Sequence, residues 1–147
     1  MISRRDCLKY SALTGLASVL PAGLLHAAHH QGLITRAIPK TGEKLPIVGL
    51  GSSASFRKLA ASDDTGQLRD VIKTLLDNGG TVFDTAPSYG ESERVAGEIV
   101  QKLDATEKIF WATKVNVVPR GGSTADADAA RAQIERSFDY IGKDPID

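Results

Sequence analysis

Beyond residue 60 the apolar positions follow two alternating periods. Leu68, Val71, Ile72, Leu75 and Leu76 recur at i, i+3, i+4, i+7 and i+8, one face of a helix, which Gly79-Gly80 brings to an end. Ser62, Asp63 and Asp64 stand ahead of it as capping candidates, closing a polar loop that starts at Ser52. Thr81-Val82-Phe83 then makes a short apolar strand running into Asp84. A second helix is predicted from about Ser92, with Val95, Ile99, Val100 and Leu103 facing inward. Ile109-Phe110-Trp111-Ala112-Thr113 is the next strand, ended by Lys114. The stretch from Asp126 to Ile141 is a third helix, with Ala130, Ile134, Phe138 and Ile141 inward. Pro145-Ile146-Asp147 has the character of a further strand at its first residues.

Upstream of residue 60, Ile34 to Ile38 and Leu45 to Leu50 flank the turn Pro39-Lys40-Thr41-Gly42 and read as a hairpin. Strands alternating with helices argue for a parallel α/β architecture, with right-handed crossovers placing each helix outside the sheet.

Residues 1–30 depart from this pattern. Ser3-Arg4-Arg5-Asp6-Cys7-Leu8-Lys9 resembles the S-R-R-x-F-L-K pattern of bacterial twin-arginine signals, with Cys7 in place of the usual Phe. The mildly apolar stretch that follows, Tyr10 to Leu25, is broken by Thr14, Gly15 and Pro21 and falls short of the roughly 20 residues of a membrane span. The expectation is a cleavable leader without a permanent membrane anchor, a twin-arginine translocase as partner, and a periplasmic or extracytoplasmic location. The alternative is an ordinary N-terminal helix with two solvated arginines. A small-residue exit lies at Ala27-Ala28, and residues 31–147 form the expected working domain. His26, His29 and His30 cluster at the junction, where a His-rich tract can bind metal, but a polar start to the mature chain explains them more simply. No metal is expected.

Composition narrows the partners. With 18 Lys+Arg against 18 Asp+Glu, no net field draws the chain to nucleic acid or to an anionic surface. The one cysteine, Cys7, lies in the leader, so residues 31–147 hold no disulfide, thiolate nucleophile or Cys-type zinc site.

Chemistry concentrates between Gly79 and Gly97. Gly80-Thr81-Val82-Phe83-Asp84-Thr85-Ala86-Pro87-Ser88-Tyr89-Gly90-Glu91-Ser92-Glu93 resembles the aldo-keto reductase signature: a strand ends in D-T-A, a tyrosine follows five residues after the aspartate, and G-x-S-E opens the next helix. Two further elements agree with the family. Trp111-Ala112-Thr113-Lys114-Val115 brings a lysine to the end of the following strand, and Leu45-Pro46-Ile47-Val48-Gly49-Leu50-Gly51 supplies a glycine-bearing first barrel strand after a hairpin. The resemblance covers about residues 34 to 147. It implies the first three β/α units of a (β/α)8 TIM barrel, and in such a barrel residues at strand C-termini share one mouth. It also implies transfer of hydride from NADPH to the carbonyl carbon of a small-molecule substrate. Tyr89 is then the proton donor, Asp84 and Lys114 complete the catalytic set, and Gly51, Ser52, Asp84 and Lys114 contact the cofactor.

Those roles have a physical basis. A free phenol, with a pKa of about 10, holds its proton too tightly to work in both directions near neutrality, so it needs a cationic neighbour. A lysine can be that neighbour, provided a carboxylate keeps it charged and aimed. Taken singly, Asp84 reads as a cap or turn residue, Tyr89 as half-buried packing and Lys114 as a solvated cation. Glu91 and Glu93 read as first-turn acids favoured by the helix dipole.

A competing pattern, Gly49-Leu50-Gly51-Ser52-Ser53-Ala54, fits the G-x-G-x-x-G/A dinucleotide fingerprint of a Rossmann domain. Against it, no helical periodicity follows at once, as the fingerprint requires. The resemblance also has gaps. The family's active-site histidine, on its fourth strand, has no counterpart, since all three histidines precede Gln31. A closed barrel takes around 250 residues, so catalysis by these 147 residues alone is not expected. The alternative is a non-catalytic half-barrel that binds a partner or pairs with itself through open strand edges.

Overall fold

Two small sheets carry the fold in the computed structural model, which describes residues 32–62, 64–118 and 121–147. The arginine pair, the apolar leader and the histidine cluster lie outside the described residues, as does Asp63. Among the described residues, no helix is long and apolar enough to cross a membrane.

The predicted hairpin forms as β1 (Thr35–Ala37) against β2 (Lys44–Pro46), antiparallel, with Arg36 opposite Leu45. It is shorter than the pattern suggested. The chain leaves the ladder after Pro46 and starts a separate strand, β3 (Leu50–Gly51), in the second sheet. That sheet is parallel, in the order β3, β4 (Val82–Asp84), β5 (Phe110–Ala112). Its register sets Gly51 beside Asp84 and Asp84 beside Ala112.

Between β3 and β4 run two helices, where the sequence pattern showed one. The first, α1 (Ala54–Ala60), occupies what reads as a polar loop, and it buries Phe56 and Ala60. A helix therefore does start three residues after β3 ends, and the spacing objection to a dinucleotide fold does not hold. The second, α2 (Gly66–Asp77), is the periodic one, with Leu68 and Ile72 buried but Val71 exposed. Its start uses no side-chain cap from Thr65; Asp64 instead accepts a bond from the Gly66 N–H at 2.9 Å. Its end is a Schellman turn. Gly79, at φ 78°, donates to the Leu76 carbonyl at 2.9 Å and Gly80 to that of Leu75 at 2.8 Å.

Helix α3 (Ser92–Lys102) follows β4 and buries Val95, Ile99 and Val100 as predicted. Helix α4 (Ala127–Ile141) follows β5, capped by Asp126, whose Oδ1 accepts from the Ala129 N–H at 2.9 Å. Ala130 and Ile141 are buried, but Ile134 is exposed, contrary to its predicted inward position. It lines a cleft of about 250 Å³ together with Val115, Phe138 and Ile146, on a side where no further element covers α4 among the described residues.

An aromatic row fixes the helix-facing side of the parallel sheet. Phe83 lies edge-on to Phe56 of α1, ring centroids 5.5 Å apart, and 4.9 Å from Trp111. Phe83 and Trp111 are fully buried, and burial of each such ring contributes roughly 1.5–3 kcal/mol. Because strand residues alternate between faces, Asp84 points away from this core.

The expected fourth strand at Pro145-Ile146-Asp147 is not present; Gly142 is a turn, Asp144 and Pro145 a bend, and Lys143, Ile146 and Asp147 are irregular. The free edge of β5 is met by a side chain instead. Asp147 accepts the Trp111 N–H at 2.9 Å and pairs with Lys143 at 2.6 Å, and Lys143 also donates to the Ile109 carbonyl at 3.2 Å. The architecture is α/β, a hairpin followed by a run of parallel β/α units, as a partial barrel requires.

Candidate active site

Two of the three residues expected to carry chemistry sit at the ends of adjacent parallel strands, and the third follows in the loop between them. Asp84 is the last residue of β4 and Lys114 lies two residues past β5. Tyr89 closes a short 3-10 turn, Pro87–Tyr89, and its N–H bonds the Ala86 carbonyl at 3.0 Å. Lys114 folds back over the sheet end. Its Nζ donates to both Asp84 carboxylate oxygens at 2.8 Å and to the Thr85 carbonyl at 3.0 Å. The ammonium is thus held by the two oxygens of one carboxylate and by one backbone carbonyl.

Small neighbours make this possible. Gly51 and Ala112 flank Asp84 in the ladder, so the lysine side chain meets no bulk on either side. The pair remains half in water, with the Lys114 and Asp84 side chains 47% and 49% exposed. Hydrogen bonding to Asp84 nevertheless raises the Lys114 pKa above its ordinary value, more than partial burial lowers it.

Lys114 also neighbours the tyrosine, and the Tyr89 phenol adds to the upward shift of the lysine. The Lys114 ammonium lies 5.3 Å from the centroid of the Tyr89 ring, over the ring face, within the range of a cation–π contact. Asp84, Lys114 and Tyr89 thus form one cluster, with the cation shared between a carboxylate and an aromatic face.

Gly51 and Ser52 fare differently. Gly51 is exposed, and a side chain built on it would meet nothing within 4 Å. Ser52 is fully buried beneath the start of α3: its N–H bonds the Asp84 carbonyl at 2.9 Å, and its own carbonyl accepts the Ser92 hydroxyl at 2.8 Å. Its Oγ has no partner among the described residues, nor has that of the buried Thr85. For a nicotinamide cofactor the residues present suit its ring end. Gly51, beside the half-exposed pair, is open, with nothing within 4 Å of a built side chain, which leaves room for a flat ring.

The two first-turn acids of α3 have different surroundings. Glu91, at the N-cap of α3, is exposed and pairs with Arg94 at 2.8 Å. Glu93 is not the solvated first-turn acid that its position suggests: it is 2% exposed and accepts hydroxyl bonds from Thr113 at 2.6 Å and Ser137 at 3.0 Å. The usable signal was the i, i+4 spacing from Glu93 to Gly97: it puts the carboxylate on the face that carries a glycine at the α3–α4 crossing.

A profile described as the aldo/keto reductase family matches residues 47–147, covering the first sheet-forming glycines, the Asp84 to Glu93 segment and Lys114. The chain belongs to the aldo/keto reductase family. The aldo-keto reductase str7 of Strobilurus tenacellus is 30% identical over 101 residues, 69% of this chain and 29% of that protein. The aldo-keto reductase YhdN of Bacillus subtilis is 28% identical over 116 residues, 76% of this chain and 35% of that protein. A solved structure from Pseudomonas aeruginosa, assigned to the aldo-keto reductases, superposes with a TM-score of 0.61 at 27% identity, covering 80% of this chain and 46% of that one. The chain thus spans about a third of the length of these sequence relatives and about half of the solved one. Membership in an aldo/keto reductase barrel family, rather than helix spacing, is what removes the Rossmann alternative.

Proposed function

We propose that this chain contributes to an NADPH-dependent oxidoreductase that reduces aldehydes or ketones to alcohols. The observation that supports this reading most is the clustering of Asp84, Lys114 and Tyr89 around one ammonium beside open space at the strand ends. NADPH, when bound, would supply a hydride to the carbonyl carbon. Tyr89 gives its hydroxyl proton to the carbonyl oxygen, which completes the alcohol. Lys114 presents positive charge beside the phenol, favouring the phenolate left behind, and Asp84 holds Lys114 charged and oriented. Gly51 leaves room for the ring that carries the hydride. The fourth family residue, a histidine, is not among the described residues.

The test is oxidation of NADPH by the intact protein in the presence of a panel of aldehydes and ketones. Tyr89→Phe is expected to lower kcat by about 10²–10⁴-fold, the usual contribution of a positioned proton donor. Undiminished turnover in that variant would remove Tyr89 from the chemistry.

A second reading, a half-barrel that associates rather than catalyses, draws on the exposed Val115, Val117, Val118 and Ile134 near the free edge. Concentration-dependent dimerisation without NADPH oxidation would favour it. The leader adds a proposal of its own, export by the twin-arginine route, for which Arg4→Lys with Arg5→Lys should trap the protein in the cytoplasm.

A further inference from the structure

Lys114 lies beyond the reach of the sheet that positions it. The last backbone bond of the β4–β5 ladder runs from the Thr85 N–H to the Ala112 carbonyl at 2.8 Å. Past that point, side chains from two helices hold the strand end. Glu93 of α3 grips the Thr113 hydroxyl at 2.6 Å. Gln133 of α4 makes a paired contact with Asn116, accepting its N–H at 3.2 Å and donating to its carbonyl at 3.1 Å. Lys114 lies between these two clamps.

The first clamp is the unusual one. Glu93 is 2% exposed, and among the described residues no lysine, arginine or histidine pairs with it. Its second oxygen takes the Ser137 hydroxyl, and it sits in the first turn of α3, where the helix dipole favours an anion. Holding a carboxylate out of water with only hydroxyl donors is costly, and an apolar residue would fill the same space at lower cost. What a carboxylate adds is two strong, directional acceptors on one rigid helix, one aimed at α4 and one at the residue before Lys114. Thr113 is β-branched, with few rotamers to choose from, so fixing its hydroxyl also fixes the backbone from which Lys114 departs on the opposite face.

We propose that Glu93 is a positioning residue for the reductase reaction: by holding Thr113 it sets the direction in which Lys114 reaches Asp84 and Tyr89. The inference rests on the reading of the site given above. It extends the working set to a residue that touches neither substrate nor cofactor.

The experiment compares Thr113→Val, Thr113→Ser, Glu93→Gln and the double variant Glu93→Gln/Thr113→Val in the intact protein. Two quantities are read: kcat and KM for NADPH-dependent carbonyl reduction, and the pH at which Lys114 titrates, followed by NMR of its carbon next to Nζ. Loss of the grip should lower kcat by about tenfold to a hundredfold, the scale of an ångström-sized misplacement, with KM little changed. The Lys114 titration should fall back towards the ordinary lysine range. Thr113→Ser, which keeps the hydroxyl, should restore both. The double variant should lower kcat no further than Thr113→Val, because Glu93 reaches Lys114 only through Thr113, while any change at the Ser137 bond shows in stability and not in kcat. A folded Thr113→Val protein with wild-type kcat and wild-type Lys114 titration would overturn the proposal, and so would strictly additive losses. Should Glu93→Gln fail to fold, the Thr113 pair decides alone. Lys114→Met and Tyr89→Phe serve as controls: if they turn over normally, the reading of the site fails, while the Lys114 titration still judges the grip.

Discussion

Gly97 on α3 lies directly against the carbonyl of Tyr140 on α4: a Cβ at position 97 would stand 1.9 Å from that oxygen and 2.8 Å from its carbon. The obstructing atoms are backbone near the end of a helix, so they cannot swing aside as a side chain would. The crossing also brings Glu93 of α3 within reach of Ser137 of α4, one turn from Gly97 on one side and Tyr140 on the other. Gly97→Ala is therefore expected to push the two helices apart, despite the intrinsic helical advantage of alanine, at a net cost of about 1–3 kcal/mol. Urea unfolding monitored by circular dichroism measures this. A variant as stable as the parent would show that the helices slide without penalty.

The Asp84–Lys114 pair makes stability depend on alkaline pH. Asp84 raises the folded-state pKa of Lys114 above its ordinary value of 10.5, so folding favours the protonated amine. The resulting contribution is fully present below about 10.5, the unfolded value, and is lost as pH rises through the raised folded value. Both groups are half in water, which limits the contribution to about 1 kcal/mol or less. Asp84→Asn is expected to remove this increment at neutral pH and flatten the part of the stability–pH curve that Lys114 governs. Matched urea titrations from neutral to strongly alkaline pH test it. An unchanged slope in Asp84→Asn would show that the pair does not couple to folding.

The sequence was most readable where a physical period extends over many residues. Helices α2, α3 and α4 each repeat their apolar face over three turns or more, and Leu68, Ile72, Val95, Ile99, Val100, Ala130 and Ile141 are buried as the period requires. The cluster of Asp84, Tyr89 and Lys114 was legible for a different reason: strand ends in successive parallel units face one mouth, whatever the details of packing. Short or one-off features escaped. Helix α1 has only seven residues, and its Phe56, Leu59 and Ala60 make a single i, i+3, i+4 set inside a polar surrounding. Glu93 looked like any solvated first-turn acid, because its burial comes from α4, which is 34 or more residues further along the chain. Ile134 fits the inward period of α4, yet whether that face is covered depends on neighbours and not on the helix itself. Pro145-Ile146-Asp147 has strand-like composition but no ladder, and the Asp147 carboxylate meets the Trp111 N–H there, a contact that composition does not encode.

The contact at that edge yields a further expected outcome. Trp111 is fully buried and its N–H depends on the Asp147 carboxylate, which also pairs with the largely buried Lys143, 13% exposed in its side chain. Removing the carboxylate leaves a donor and a cation without their partner at once. Asp147→Ala should therefore cost about 1–3 kcal/mol, the penalty for stranding a buried polar group, and should speed hydrogen exchange at the Trp111 amide. Asp147→Asn keeps an oxygen that can accept the amide while losing the charge, so it separates the two effects: exchange at Trp111 should stay slow while part of the stability is lost. Adding Lys143→Met to Asp147→Ala should recover some of the loss, since the stranded cation is then gone. If Trp111 exchanges at the same rate in Asp147→Ala as in the parent, water takes over the edge, and Asp147 contributes to β5 only through its ion pair with Lys143.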